Sequence, residues 1–131
     1  GLLGFSGIGS DMRDIEEAVT NGVERAVTVY DMCAYSIAKY IAMYVGILPR
    51  TDAIVFTAGI GENSGSLRAR VCHFLDGLGI TLDDMRNGQA GCCQCVSTPD
   101  STPPVWSIPT NEELEIARET YTILTSTPTT L

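Results

Sequence analysis

Residues 52–64, Asp52-Ala53-Ile54-Val55-Phe56-Thr57-Ala58-Gly59-Ile60-Gly61-Glu62-Asn63-Ser64, pass from a short apolar run into Gly-x-Gly and then into a helix-like segment. The pattern predicts strand, tight turn, helix. Glycines at the carboxyl end of a buried strand let a ligand approach the backbone, since no Cβ intervenes. The helix behind adds free N–H groups and the positive end of its dipole. A nucleotide or other anion fits such a turn, and a turn that uses glycine for geometry alone is the competing reading. Two familiar glycine loops are excluded. A P-loop needs Gly-Lys-Ser/Thr, and the one lysine is Lys39; the dinucleotide fingerprint needs a third glycine where Ser64 stands.

Working upstream, Leu2, Leu3 and Phe5 run into Ser6-Gly7-Ile8-Gly9-Ser10, a second strand-then-glycine signal. Ser10 is placed to cap a helix whose first turns carry Asp11, Asp14, Glu16 and Glu17, where the macrodipole favours acids. Arg13 lies among them, as a surface ion pair or as a planar cation beside a glycine turn; local sequence leaves both open. Asn21-Gly22 closes that helix. A longer one follows over Val23 to Leu48, with Ala26, Val27, Tyr30, Ala34, Ile37, Ala38, Ile41, Tyr44, Val45 and Leu48 recurring at three- and four-residue steps, the stripe of a helix packed on a sheet.

Downstream, Leu67, Val71, Leu75 and Leu78 predict an amphipathic helix stopped by Gly77 and Gly79, with Arg68 and Arg70 near its start. His73, the lone histidine, has no partner at defined spacing and is assigned no role. Ile80-Thr81-Leu82 suggests a short strand, and Asp83 to Pro104 a polar excursion. Val105-Trp106-Ser107-Ile108 resumes a strand before a last helix. There Thr110 and Glu113 have the form of a capping box, and Leu114, Ile116, Ala117, Tyr121 and Leu124 a buried face. Glu112, outside that box, either stabilises the helix start or holds a hydrated Mg²⁺, which keeps most of its waters and takes one or two carboxylates. The Ser/Thr/Pro-rich residues 125–131 are expected to be a disordered tail.

A net charge of −8 argues against a nucleic-acid groove. No apolar run reaches the length of a membrane span. Five cysteines, Cys33, Cys72, Cys92, Cys93 and Cys95, are odd in number and unevenly spaced, so they do not form a disulfide framework. Cys92, Cys93 and Cys95 with His73 offer half of a zinc set, but no second Cys pair accompanies them. A reduced compartment and a surface loop fit better.

Three separated segments, Phe56 to Asn63, Ile108 to Glu113 and Ser6 to Asp14, together resemble the carboxyl-terminal third of acetate kinases in order and spacing. The resemblance implies an α/β RNase H-like lobe of the actin, Hsp70 and sugar kinase superfamily, here a C-terminal fragment. Residues 1–124 would be part of the nucleotide-binding lobe, with the N-terminal lobe upstream of Gly1. It implies reversible transfer of the γ-phosphoryl of ATP to acetate, giving acetyl phosphate and ADP, with Mg²⁺. Asp11, Met12 and Arg13 match a nucleotide-contacting triplet; Met12 stands where many relatives carry an aromatic residue. Gly59, Ile60, Gly61, Glu62 and Asn63 match the adenosine turn, where the small Gly59 favours ATP over pyrophosphate, and Glu112 matches a magnesium-associated glutamate. The acetate pocket and catalytic groups would lie upstream, so no catalytic residue is assigned and the isolated chain is expected to be inactive. A cytoplasmic homodimer is implied, an organellar address being one that the upstream portion would carry. Propionate or butyrate kinase, and a non-catalytic nucleotide-binding or interaction module on the same scaffold, are the alternatives.

Overall fold

The computed structural model describes residues 1–89 and 92–126. The chain opens with helices α1 (Leu2–Ser6), α2 (Met12–Thr20) and α3 (Glu24–Ile47), then β1 (Ile54–Phe56), α4 (Ala58–Asn63) and α5 (Gly65–His73). After a 3₁₀ turn over Asp76–Leu78 come α6 (Asp84–Asn87), β2 (Gln94–Cys95), β3 (Val105–Ser107) and α7 (Glu112–Ser126). β3 is the middle of three strands. It pairs parallel with β1, Ile54 opposite Val105, and antiparallel with β2, Cys95 opposite Trp106. The parallel pair requires a long crossover, and α4 to α6 supply it.

α3 buries Ala26, Tyr30, Ala34 and Ala38, each about one turn from the next, and the three alanines let other elements approach closely. Ala34 and Ala38 share one core with Ile15 of α2, Leu67, Val71 and Cys72 of α5, and Ile54, Phe56 and Val105 of the sheet. The principal neighbours of α3 are thus α2 and α5 rather than the sheet alone. Its outer face leaves Tyr35, Tyr40, Met43, Tyr44 and Ile47 exposed, with Tyr35 edge-on to Phe74 at 5.4 Å.

Several expectations are corrected. Leu2–Ser6 is helix, not strand: Gly7 takes a left-handed conformation (φ 68°) and its N–H closes on the Leu3 carbonyl. An apolar run this short has no period by which to tell the two apart. The cap of α2 is Asp11, not Ser10; its Oδ1 accepts from the Arg13 N–H at 2.9 Å. Leu82 forms one isolated bridge to Ser97, and the supposed polar excursion holds both α6 and β2. The predicted capping box at Thr110 and Glu113 is absent, because Asn111 Oδ1 caps Leu114 N at 3.0 Å. α7 buries none of its residues, so Leu114, Ile116, Tyr121 and Leu124 face outward. It runs through Thr125 and Ser126; residues 127–131 lie outside the described ones.

All five cysteines are free, with Cys92 and Cys93 exposed and Cys72 buried. His73 is exposed beside Asp76. Among the described residues no three His, Cys, Asp or Glu side chains are grouped to hold a metal, and no helix is long and apolar enough to cross a membrane.

Candidate functional site

The central turn departs from helical geometry at its start. Ala58 is left-handed (φ 56°), and Gly59 takes φ 4°, ψ −86°. The positive φ therefore falls on Ala58, not on a glycine of the Gly-x-Gly. Those glycines serve contact instead. A Cβ at Gly59 would meet nothing within 4 Å, so its backbone lies bare to the open side. Gly61 faces inward, where a Cβ would come 3.5 Å from the Phe56 carbonyl carbon. Asn63 Nδ2 closes the turn by donating to the Gly59 carbonyl at 2.7 Å.

In front of this turn is a cleft of about 930 Å³, at the upper end of the range for small-molecule sites. Leu2, Ser10, Asp11, Met12, Arg13 and Glu16 form one wall, and Gly59, Ile60, Asn63 and Ser64 the other. Six residues singled out in the sequence, Asp11, Met12, Arg13, Gly59, Ile60 and Asn63, thus meet at one place. Arg13 forks onto Asp11, with Nη2 to Oδ2 at 2.6 Å and Nε at 3.1 Å from both carboxylate oxygens. That pairing holds the Asp11 carboxyl down at about 2 and raises the Arg13 guanidinium. Both groups are well exposed, 86% for the arginine, so the pair contributes little to stability and leaves the cation at the cleft rim.

Gly61, Glu62 and Glu112 do not line this cleft. Glu62 Oε2 instead accepts from the Thr110 N–H at 2.9 Å, tying the approach to α7 to the glycine turn. Glu112 is the first residue of α7, two positions beyond that tie. Among the described residues Glu112 belongs to no group of three or more metal-ligating side chains, which rules out a dehydrated cage there and leaves the one or two carboxylates that a water-rich Mg²⁺ takes.

Two residues that sequence reasoning assigned no part in the site organise it. Glu16 Oε1 accepts from Tyr30 Oη at 2.6 Å, from Ser66 Oγ at 2.7 Å and from Ser64 Oγ. Burial pushes this carboxyl up, but the three hydroxyls outweigh it and hold it below its ordinary value; the Tyr30 phenol, desolvated and facing Glu16, is pushed up to about 12. Arg68 is wholly buried, and among the described residues its donors meet carbonyl and amide oxygens, not a carboxylate. Its Nη1 donates to the Gly61 and Glu62 carbonyls at 2.8 and 3.0 Å, while Nε and Nη2 take Asn87 Oδ1 and O at 2.7 and 2.9 Å. Desolvation lowers its pKa. A signal existed for each. Glu16 lies four residues beyond Met12 on the same helix face, and a cation in the first turns of α5 runs against the macrodipole, so it needs a local reason.

An α/β layer with a parallel strand pair, and a ligand-sized cleft at the glycine turn that ends one of those strands, is the arrangement of an RNase H-like lobe of the actin, Hsp70 and sugar kinase class. The chain belongs to the acetokinase family, whose model matches residues 1–118. It is 52% identical over 124 residues to an acetate kinase of Methanosarcina barkeri, covering 95% of this chain and 30% of that one. The crystal structure of Porphyromonas gingivalis acetate kinase superposes with a TM-score of 0.83 at 42% identity, over 95% of this chain and 31% of that chain. A propionate kinase from Francisella tularensis also gives 0.83, at 34% identity, over 91% and 30%. The chain therefore spans about a third of the length of these relatives.

Proposed function

We propose that this chain supplies the nucleotide cleft of a carboxylate kinase that transfers the γ-phosphoryl of ATP reversibly to acetate, giving acetyl phosphate and ADP. The observation that carries this reading is the meeting of Asp11, Met12 and Arg13 with Gly59, Ile60 and Asn63 around one cleft, although more than forty positions separate the two groups. Adenosine would lie along the bare backbone of Gly59. The Met12 thioether packs against a purine face, and Arg13 offers a cation to the ribose or phosphate side. Glu112 would hold water of a Mg²⁺ shell, the ion neutralising phosphate charge when bound. Glu62 acts on the turn rather than on the ligand. Phosphoryl transfer rests on positioning and charge neutralisation, and no residue here is assigned to the acetate or to the transferring group. The remaining two thirds of the relatives' length would supply those groups, and residues 1–124 would form part of a C-terminal lobe. The exposed apolar face of α3 is suited to a homodimer. The similarity to a propionate kinase supports propionate as a second acceptor.

The test is a calorimetric titration with ADP. The parent chain should saturate, and Gly59→Gln, filling the open side of the turn, should weaken ADP by about tenfold or more, roughly 1.4 kcal/mol. An unchanged affinity in a folded variant removes the turn as the nucleoside site. Glu112→Ala should leave metal-free ADP binding intact and abolish its enhancement by Mg²⁺. An acetyl phosphate assay on the chain alone should show no turnover.

A further inference from the structure

We infer that Glu16 is the positioning residue of the cleft: by gathering the hydroxyls of Ser64, Ser66 and Tyr30 on one carboxylate oxygen, it sets the separation between the α2 wall and the glycine-turn wall. The inference rests on the nucleotide reading of that cleft and goes beyond it. Three elements meet at Oε1, namely α2 through Glu16, α3 through Tyr30, and the start of α5 through Ser64 and Ser66. Ser64 belongs to two structures at once. It lines the cleft directly after Asn63, and its Oγ caps α5 by accepting from the Leu67 N–H at 3.0 Å. Its hydroxyl proton is therefore free to go to Glu16 while its lone pair holds the helix. On the other wall, α2 buries one side chain, Ile15. Glu16 is the next residue, a turn beyond Met12 and Arg13, so its tether fixes the rotation of the helix that presents them.

Ionisation gives the tether its strength. A carboxylate accepts hydroxyl protons through charge-assisted bonds about twice as strong as those to a neutral amide. Glu16→Gln keeps the volume and loses that advantage. Tyr30→Phe removes one donor of the three and leaves Glu16 in place, so it perturbs the network least.

ADP is titrated into the parent chain, Glu16→Gln, Ser64→Ala, Ser64→Thr, Tyr30→Phe and the Glu16→Gln/Ser64→Ala double variant, with a thermal melt of each. Ser64→Ala should weaken ADP by about tenfold, the consequence of losing one charge-assisted bond between the walls, and Glu16→Gln, which takes the charge from all three bonds, by at least as much. The double variant should bind less weakly than the product of the two single effects, because the Ser64 hydroxyl donates to the same carboxylate that Glu16→Gln neutralises. Ser64→Thr, which restores the hydroxyl, should recover affinity to within about twofold of the parent. Single variants that bind ADP like the parent, multiplying effects, or a threonine no better than alanine overturn the inference, whatever happens to the melting temperature. If Glu16→Gln does not fold, Ser64→Ala and its rescue by Ser64→Thr decide by the same affinity criterion, with Tyr30→Phe, which leaves both serine bonds in place, expected to bind ADP nearest to the parent. A parent chain that fails to bind ADP sinks the nucleotide reading and this inference together; parent binding with indifferent variants sinks this inference alone.

Discussion

α5 and α7 are both short helices that mix charged and apolar residues, and they sit in opposite environments. α5 buries Leu67, Val71, Cys72 and even Arg68. α7 carries Leu114, Ile116, Tyr121 and Leu124 and buries none of them. Side-chain type therefore does not decide burial here. A guanidinium goes inside because carbonyls of the glycine turn and Asn87 converge on its donors, and a leucine stays outside because no described element lies over it. Polar satisfaction and available cover set the outcome, and hydrophobicity states only a preference.

The contrast is broken most severely at Arg68. Arg68→Ala empties a buried site and leaves the Gly61, Glu62 and Asn87 carbonyls and Asn87 Oδ1 without a donor. A cost of about 4 kcal/mol is expected, in the class of broken buried polar networks. Arg68→Lys should recover little, since an ammonium cannot span both the turn and Asn87 as the fork does. Denaturant unfolding measures both, and a loss under about 1 kcal/mol for the alanine variant would show that water replaces the guanidinium freely.

A smaller effect follows from protons bound around α5. Burial, with help from Asp76, pushes the Cys72 thiol from 9.0 up to about 12, and desolvation with Glu16 pushes the Tyr30 phenol from 10.0 up to about 12. Both folded-state values are raised, so the unfolded chain releases these protons first. The associated stability is complete below about pH 9 and is lost as pH rises from there through about 12. Urea midpoints should therefore fall steadily above pH 9, and Cys72→Ala should flatten the first part of that fall. A midpoint constant up to pH 11 would contradict the burial of both groups.

How far this could be read from sequence depended on the length over which a pattern repeats. α3 was legible because its stripe runs for many turns between Gly22 and Pro49, and β1 and β3 because apolar runs stop at turn residues. The strand-to-helix turn and the segments that meet at the cleft were also legible. α1 and β2, with five and two residues, are too short to show a period. The caps moved by one residue, from Ser10 to Asp11 and from Thr110 to Asn111, since neighbouring small polar side chains compete for the same N–H groups. Glu16 and Arg68 carried a local signal, but nothing in it named what they would hold. Their partners, Ser64 and Ser66 for one and Asn87 for the other, are distant in the chain, and a one-dimensional pattern carries no record of which loop carbonyl or hydroxyl will arrive beside them.

The least effect is expected on α7. Leu124 is 74% exposed and Ile116 65%, so Leu124→Lys and Ile116→Lys should each change stability by under about 0.5 kcal/mol, the usual range for surface sites. Leu67→Ala, at 2% exposure, provides the matched control and should cost about 2 to 5 kcal/mol. The comparison must be made at two protein concentrations, because an apolar helix face that meets water in one chain can be covered by another. If the lysine variants cost 2 kcal/mol or more and the cost grows with concentration, the cover is a second copy and the contrast between α5 and α7 belongs to the monomer alone. If they cost nothing at either concentration, the face meets water in the isolated chain, and the difference between the two helices is intrinsic to this fold.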